Sequence, residues 1–311
     1  MAINYNEIQQ KIDNVLYNSD EFVRRWVDFL TAPSGTVTVE YYDQNGNLQT
    51  ASFDNRSKVV QDFIANVNSA MQKTFYVDAV NGNDANDGSQ NAPFKTLAKA
   101  IYSVPPGGHV WIRLLSDIVV SDSGKINMGD SNRVVIIDGY NGETPDNRRT
   151  VQFKFGLRSL SVGTYNTVYG FTNLGGCVFG LSYVNIEFIG SPDSNYPFDS
   201  YAQAFDYSSH ASNGFGFYFS NSKVTIPNIL GVGLAKAGGA GIGTVMFNCY
   251  DSEINTAGSD SYAFYMQSST FIYNVNQITL SGAKTNHADI IYGIVRDANG
   301  VPRNVISNIV L

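Results

Sequence analysis

The sequence predicts a mainly β chain, with a small helical-and-hairpin domain over residues 1–72 and a β-helix of short parallel strands over residues 74–311. Three features predict it. Charged residues fill only 15% of the 311 positions, against roughly 25% in ordinary globular domains. The polar surface must therefore come from Asn, Ser, Thr, Gln and Tyr, which suit rigid β-proteins with stacked side chains. At Thr74 the helix formers give way to Gly, Asn, Ser, Tyr and β-branched residues, and short strand-like runs then recur to the end. A hydrophobic content of 43% rules out a disordered polypeptide.

At the start, Ile8, Ile12, Val15, Phe22, Trp26 and Phe29 alternate spacings of four and three, with Ser19 at the missing position. That is an a/d heptad seam suited to burial against other copies of the chain; ordinary amphipathic packing is the alternative. Asn18-Ser19-Asp20-Glu21 reads as a helix restart with its own capping residue. Thr36–Tyr42 alternates in the strand period, Asp43-Gln44-Asn45-Gly46 supplies a turn, and Leu48–Phe53 returns, which makes a hairpin. A second helix is predicted over Ser57–Met71, with Val60, Phe63, Ile64, Val67 and Met71 on one face. So small a domain is hard to stabilise alone, and self-association would solve that.

Beyond Thr74 the strand-like runs are Val110–Leu115, Val134–Ile137, Val151–Phe155, Val178–Ile189, Gly216–Ile226, Thr244–Ile254, Tyr262–Val275 and Ile290–Val295. Four segments beginning at Phe179, Phe219, Phe247 and Phe264 each pass from an aromatic through Ser or Asn to an aliphatic residue. Their unequal intervals describe a degenerate repeat with variable loops, as in a solenoid whose rounds bury their apolar sides on one another. A sandwich of short antiparallel strands is the competing architecture.

The most specific stretch is Phe75-Tyr-Val-Asp-Ala-Val-Asn-Gly-Asn-Asp-Ala-Asn-Asp-Gly-Ser-Gln-Asn-Ala-Pro-Phe-Lys-Thr-Leu-Ala-Lys-Ala-Ile101. It closely resembles the opening motif of pectin-lyase-like right-handed parallel β-helices of bacteria and phages. The resemblance implies a first strand, an Asn/Gly/Asp turn and a capping helix near 96–103 with Leu97, Ala100 and Ile101 inward. Gly107-Gly108-His-Val-Trp-Ile-Arg-Leu then matches the first full rung. Such a helix has a physical purpose, since an open β-helix end would otherwise template uncontrolled pairing. Residues 1–72 resemble the virion-attachment regions of phage tail fibres. Together these likenesses imply a homotrimeric tail fibre or tailspike subunit, made in the host cytoplasm and carried on the virion, with tail or baseplate proteins and host surface polysaccharide as partners.

Net charge is −7 and no Lys/Arg-rich block occurs, so a nucleic-acid partner is not expected. The most apolar stretch, Ile229–Phe247, carries Lys236 and six glycines, too broken for a membrane span. The segment Met1–Glu7 has neither the basic region nor the apolar stretch of a secretory signal. The C-terminal run ending at Leu311 closes on apolar residues, as a tail tucked into an assembly would.

No metal or cofactor is expected. Cys177 and Cys249 form no CxxC pair and read as buried free thiols, with a disulfide the alternative if the fold stacks them, and His109, His210 and His287 are scattered. Asn83–Gly88 has the look of a calcium loop, but Ala85 and Phe94 stand where ligands should. Gly231-Val-Gly233-Leu-Ala-Lys236 lacks the third glycine of a dinucleotide fingerprint. Glycoside hydrolysis needs two carboxyls about 5–10 Å apart. Asp199 and Asp206 (with Asp193) in the segment 191–215, or Asp251 and Glu253 on one strand face, could supply them; Lys223 is the nearby base for lyase chemistry. In the same segment Tyr196, Tyr201 and Tyr207 could grip sugar rings, or pack on the loop itself.

Two functions of different class follow: a non-enzymatic structural or receptor-binding fibre, and a depolymerase of host capsule or lipopolysaccharide. The length left after the cap, about eight coils at roughly 25 residues each, favours the fibre.

Overall fold

The computed structural model describes residues 5–31, 35–54, 56–129, 131–140, 147–199, 202–207, 214–237, 244–266 and 270–311. The chain divides into two compact units, Met1–Ala70 and Met71–Leu311.

In the first unit, helix α1 (Tyr5–Thr31) is followed by antiparallel strands β1 (Thr36–Tyr42) and β2 (Leu48–Asp54), paired from Thr36↔Asp54 to Tyr42↔Leu48. The Asp43 carboxylate fixes the turn by accepting the backbone N–H groups of Asn45 and Asn47, and Gly46 takes the left-handed conformation there. Helix α2 (Arg56–Met71) comes next. The expected restart at residues 18–21 does not occur, because α1 runs through it unbroken. Asn18 is occupied elsewhere: its amide oxygen accepts the Tyr42 N–H at 2.8 Å and its amide nitrogen donates to the Tyr42 carbonyl at 2.9 Å. Glu21 pairs with Arg24 and Arg25 one turn on, which supports a continuous helix.

The second half of the seam leans on the hairpin, with Phe22, Trp26, Phe29 and Phe53 in a row of ring contacts 5.4 to 6.0 Å apart. Among the described residues of this unit Val37 is the one buried hydrophobic side chain. Ile8, Ile12, Val15, Phe22 and Trp26 remain 46–67% exposed, as do Phe63 and Ile64 of α2 to a similar degree.

The second unit is mainly β, with parallel sheets. Strand β3 (Gln72–Val77) pairs in parallel with β4 (His109–Leu114), and between them lies helix α3 (Leu97–Tyr102). Leu97, Ala100 and Ile101 bury against β3 and β4, while Thr96 caps the helix by accepting the Lys99 N–H. The turn before it hangs on Asp84, whose carboxylate accepts the N–H groups of Lys95 and Thr96 and the Thr96 hydroxyl. Asn83–Gly88 is thus a turn that Asp84 ties to the start of α3. Gly82 is required here, since a Cβ would stand 2.3 Å from the Phe94 carbonyl oxygen.

After β4 the chain visits three parallel stacks in turn, adding one strand to each on every round. The first stack continues β4 through Val134–Asp138, Val178–Ser182, Phe215–Ser220 and the starts of Thr244–Thr256 and Thr270–Gly282, ending at Val305–Ser307. The second holds Ile118–Val119, Arg149–Leu160, Val184–Ile189, Lys223–Ile226 and the ends of the two long strands. The third is a separate sheet of two- and three-residue strands: Ile126–Asn127, Phe171–Thr172, Phe205–Tyr207, Ala235–Ala237, Phe264–Met266 and Ile291–Tyr292. Among the described residues only β1–β2 and the hairpin Arg149–Leu160/Gly163–Tyr169 pair as antiparallel strands, which excludes the sandwich.

Between the first two stacks the chain turns a corner at Tyr183, Asn221, Asp251 and Gln277, all with φ between 47° and 54°. The next residue at two of these corners is a buried serine: Ser222 Oγ accepts the Val184 N–H and Ser252 Oγ accepts the Ser222 N–H. Backbone donors freed by the bend are thereby satisfied. The interior is an aromatic stack, with Phe217, Phe247 and Tyr273 lying parallel at 5.6 and 5.7 Å. Its register differs from the repeat read in the sequence. Phe179 aligns with Phe217, Phe247 and Tyr273, whereas Phe219 belongs to the Leu181–Cys249 column and Phe264 to the small sheet. Cys177 and Cys249 are buried free thiols.

Candidate functional site

The small sheet carries one column of side chains on its outer face. Register aligns Asn127, Thr172, Asp206, Lys236, Tyr265 and Tyr292 across its six strands. Each follows an inward apolar residue, and alternation along a strand turns it outward. An outer position should be solvated, yet Asp206 is 0% and Lys236 1% exposed. Phe198, Asp199 and Gln203 line a cavity together with Lys236.

Asp199 and Gln203 are tied down from two directions. On the antiparallel hairpin, Asn166 is buried and saturated: its amide donates to the Asp193 and Tyr196 carbonyls and accepts the Asp193 N–H, and its own backbone pairs with Pro197 and Asp199. Arg158 on the same hairpin reaches Asp199 at 3.0 Å. From below, Lys125 donates to the Gln203 carbonyl at 3.1 Å and lies 3.6 Å from the Asp206 carboxylate, which also accepts the Thr172 hydroxyl. Burial pulls the Lys125 ammonium down to about 8 against the opposing pull of Asp206. Burial lowers Lys236 as well, opposed by Asp206 and Asp199. Five charged groups therefore form one network.

Two cavities flank it. One, of about 360 Å³, is walled by Phe198, Tyr265 and Tyr292 and floored by Asp199, Gln203 and Lys236. The Gln203 amide nitrogen donates to the Gly231 carbonyl, while its oxygen is buried with no partner among the described residues. The Tyr265 hydroxyl accepts the Gly231 N–H at 2.7 Å, and burial pushes that hydroxyl up to about 12. A second cavity of about 290 Å³ is lined by Lys125, Arg158, Tyr169 and Thr172. Apolar ring faces beside buried charges and amides can bind a polar ligand with C–H faces, such as a sugar.

Of the acids singled out in the sequence, Asp199 and Asp206 meet in this network. Asp251 and Glu253 do not, and they do not share a flat strand face. Asp251 turns the corner with φ +47°, and Glu253 stands beyond that corner on the same strand, Thr244–Thr256. Glu253 is paired with Lys223 at 2.9 Å and accepts the Ser281 hydroxyl; these contacts hold its carboxyl below the usual range. Tyr196 is 39% exposed and lies outside the cavity lining. Tyr201 and the side chain of Tyr207 lie outside the described residues, as does His210. Lys236 sits on a strand of the small sheet, so the Gly231–Lys236 run is no nucleotide loop. Lys125, Arg158, Gln203, Lys236, Tyr265 and Tyr292 were not found from the sequence. The one signal was an apolar-then-polar pair recurring at irregular intervals. Among the described residues no group of three or more His, Cys, Asp or Glu is placed to hold a metal ion, and no helix is long and apolar enough to cross a membrane.

A family described as a protein of unknown function (DUF1565) matches residues 80–115, the turn, α3 and β4. No curated protein matches. Two crystal structures of the GH136 lacto-N-biosidase from Eubacterium ramulus are similar to this chain. The selenomethionine derivative is 12% identical over 72% of this chain and 36% of that one, with a TM-score of 0.27. The native protein is 11% identical over 71% of this chain and 61% of that one, with a TM-score of 0.17. The chain thus spans about a third of the first structure. At these scores neither the fold nor the activity of that enzyme transfers to it.

Proposed function

We propose that this chain is a subunit of a bacteriophage tail fibre or tailspike that helps the particle adsorb to host surface polysaccharide. In this reading residues 71–311 wind as a right-handed parallel β-helix. Residues 1–70 join it to tail or baseplate proteins and to two further copies. The observation that carries the reading is the uncovered apolar face of α1. Ile8, Ile12 and Val15 stand 46–67% exposed at heptad spacing on a unit whose described residues include one buried hydrophobic side chain. A second line supports self-association. On the outside of the first strand stack, Val134, Val178, Gly216, Met246, Ile272 and Ile306 align in one largely apolar row that starts at His109, beside a row of Trp111, Ile136, Gly180 and Tyr218 that ends in Asn248 and Asn274. A partner matching so regular a row is itself repetitive, as another copy is.

The test is adsorption of fluorescently labelled protein to candidate host cells, before and after their surface polysaccharide is stripped, with the mass of the species in solution measured by light scattering. Trimers that bind only intact cells are expected. A monomer at micromolar concentration that ignores every cell tested overturns the reading.

One observation favours a second reading, a polysaccharide depolymerase: Asp199 and Asp206 share one buried network beside a cavity. Release of reducing ends from host glycan, abolished by Asp206→Asn, would establish it; no release excludes it.

A further inference from the structure

We infer that α2 of each copy lies in the apolar groove between α1 and the hairpin of a neighbouring copy. This rests on the reading above that copies join through residues 1–70, and it names the two surfaces that meet.

Three observations carry it. The groove is apolar and open. It encloses about 350 Å³ and is lined chiefly by Phe22 and Trp26 of α1, Val39 and Tyr41 of β1, and Ala51 and Phe53 of β2. Phe22, Trp26, Tyr41 and Phe53 are 39–60% exposed, so no described residue fills it.

The same chain carries an apolar ridge that matches it. Every residue from Val59 to Val67 is exposed, and Val59, Val60, Phe63, Ile64 and Val67 are 42–66% exposed. A helix of 16 residues is marginal on its own in water, so α2 requires a surface on which to bury that face. At about 100° per residue the five side chains span about 140° of the helix. That is the width of a face that packs on a core and is broader than an a/d seam, so a groove suits it better than a bundle of α2 helices. A foreign partner in the groove would leave the ridge bare, whereas a second copy covers both.

The connection keeps the two surfaces of one chain apart. One residue, Asn55, stands between β2 and α2, whereas reversing from a strand into a helix takes about two to six. The helix therefore leaves its own hairpin at the end of β2, and the groove is left for the α2 of another copy. Because groove and ridge are different surfaces, the contact runs head to tail, and such contacts close into a ring when the rotation allows. In a ring of three, each copy gives one helix and receives one.

Thiol cross-linking of the full-length protein tests this. Ala51 and Ile64 are exposed, so Ala51→Cys and Ile64→Cys spare the fold, and the buried Cys177 and Cys249 are shielded from reagent. Co-expressed with different tags, the two variants should be joined to each other by a short bis-maleimide, and neither should cross-link alone. Joining of Ile64→Cys to itself overturns the inference, because it puts α2 helices together. Cross-linking inside single chains that carry both substitutions overturns it too. Independently, Phe63→Asp should raise the concentration at which the copies dissociate by about tenfold or more, for the loss of one buried apolar side chain per contact. Ala65→Asp, on the opposite side of α2, should leave that concentration unchanged, and equal effects of the two overturn the inference. A three-copy species that gives no cross-link overturns the docking and leaves the three-copy reading standing. Cross-linked pairs in a two-copy species keep the docking and remove the three-copy reading.

Discussion

Lys125 lies 3.6 Å from Asp206, and their side chains are 7% and 0% exposed. Asp206 also faces Lys236 across the adjoining strand, so one carboxylate serves two buried ammonium groups. The two single substitutions are therefore unequal. Lys125→Met leaves Asp206 with Lys236 and should cost about 1.5–3 kcal/mol, the worth of a charged hydrogen-bonded contact. Asp206→Asn removes an opposing charge from both lysines and should cost about 3–5 kcal/mol, as for breaking a buried pair. Urea denaturation monitored by tyrosine fluorescence measures both. Equal costs, or the reverse order, would show that Asp206 is not the centre of the network.

How much of this was legible in the sequence depends on how far each feature reaches along the chain. The turn and capping helix from Phe75 to Ile101 were legible because their determinants are local: Asp84 bonds to Thr96 and Leu97, Ala100 and Ile101 share one helix face. The strand runs were legible for the same reason. Their alignment was not. Phe217 and Phe219 are both fully buried, so either could head a repeat, and the variable loops remove any fixed period. The corner residues Tyr183, Asn221, Asp251 and Gln277 adopt one backbone conformation with four different side chains, and no sequence pattern marks it. The site was half visible. Asp199 and Asp206 stood out in an aromatic, acidic segment. Lys236, Tyr265 and Tyr292 come from strands of two or three residues, too short to announce a period.

The turn before α3 gives a second test. Asp84 accepts two backbone N–H groups at 2.9 Å and the Thr96 hydroxyl at 2.8 Å. Asp84→Ala should destabilise by about 2–3 kcal/mol, and Thr96→Ala, which loses both that bond and the helix cap, by about 1–2 kcal/mol. Hydrogen exchange should show the loss concentrated at β3, α3 and β4. Uniform deprotection across the stacks would mean that the turn does not act as a local clasp.

Acidification isolates a different contact. The buried Tyr273 hydroxyl lies 2.7 Å from His287 Nδ1, and burial lowers the His287 imidazole below its usual 6.5. The unfolded chain therefore binds a proton at higher pH than the folded one. The stability this group contributes is present above about 6.5 and is lost as pH falls through the folded value. Glu253 and Asp78, held below the ordinary carboxylate values of 4.5 and 3.8, add their losses only at lower pH. Between pH 7 and 5 the melting temperature should fall in the unaltered protein and stay nearly flat in His287→Gln. Parallel curves for the two would remove His287 as the cause.

The α1 seam makes the last prediction. Ile12 and Val15 are 48% and 67% exposed and, unlike Phe22 and Trp26, take no part in the aromatic row that ends on the hairpin at Phe53. Ile12→Asp with Val15→Asp should then spare the hairpin contacts while removing two apolar side chains per chain from any interface, about 1.5–3 kcal/mol each if fully buried there. If the copies join as the trimer proposed above, the species in solution should fall from three copies to one. Ser19 offers the opposite change, because it is exposed at the one polar position of the heptad pattern. Ser19→Leu should stabilise the assembly by a similar amount per chain, shifting its dissociation to lower protein concentration. Mass photometry across a dilution series reads both substitutions, and an unchanged mass distribution in the Asp variant would show that this face does not join the copies.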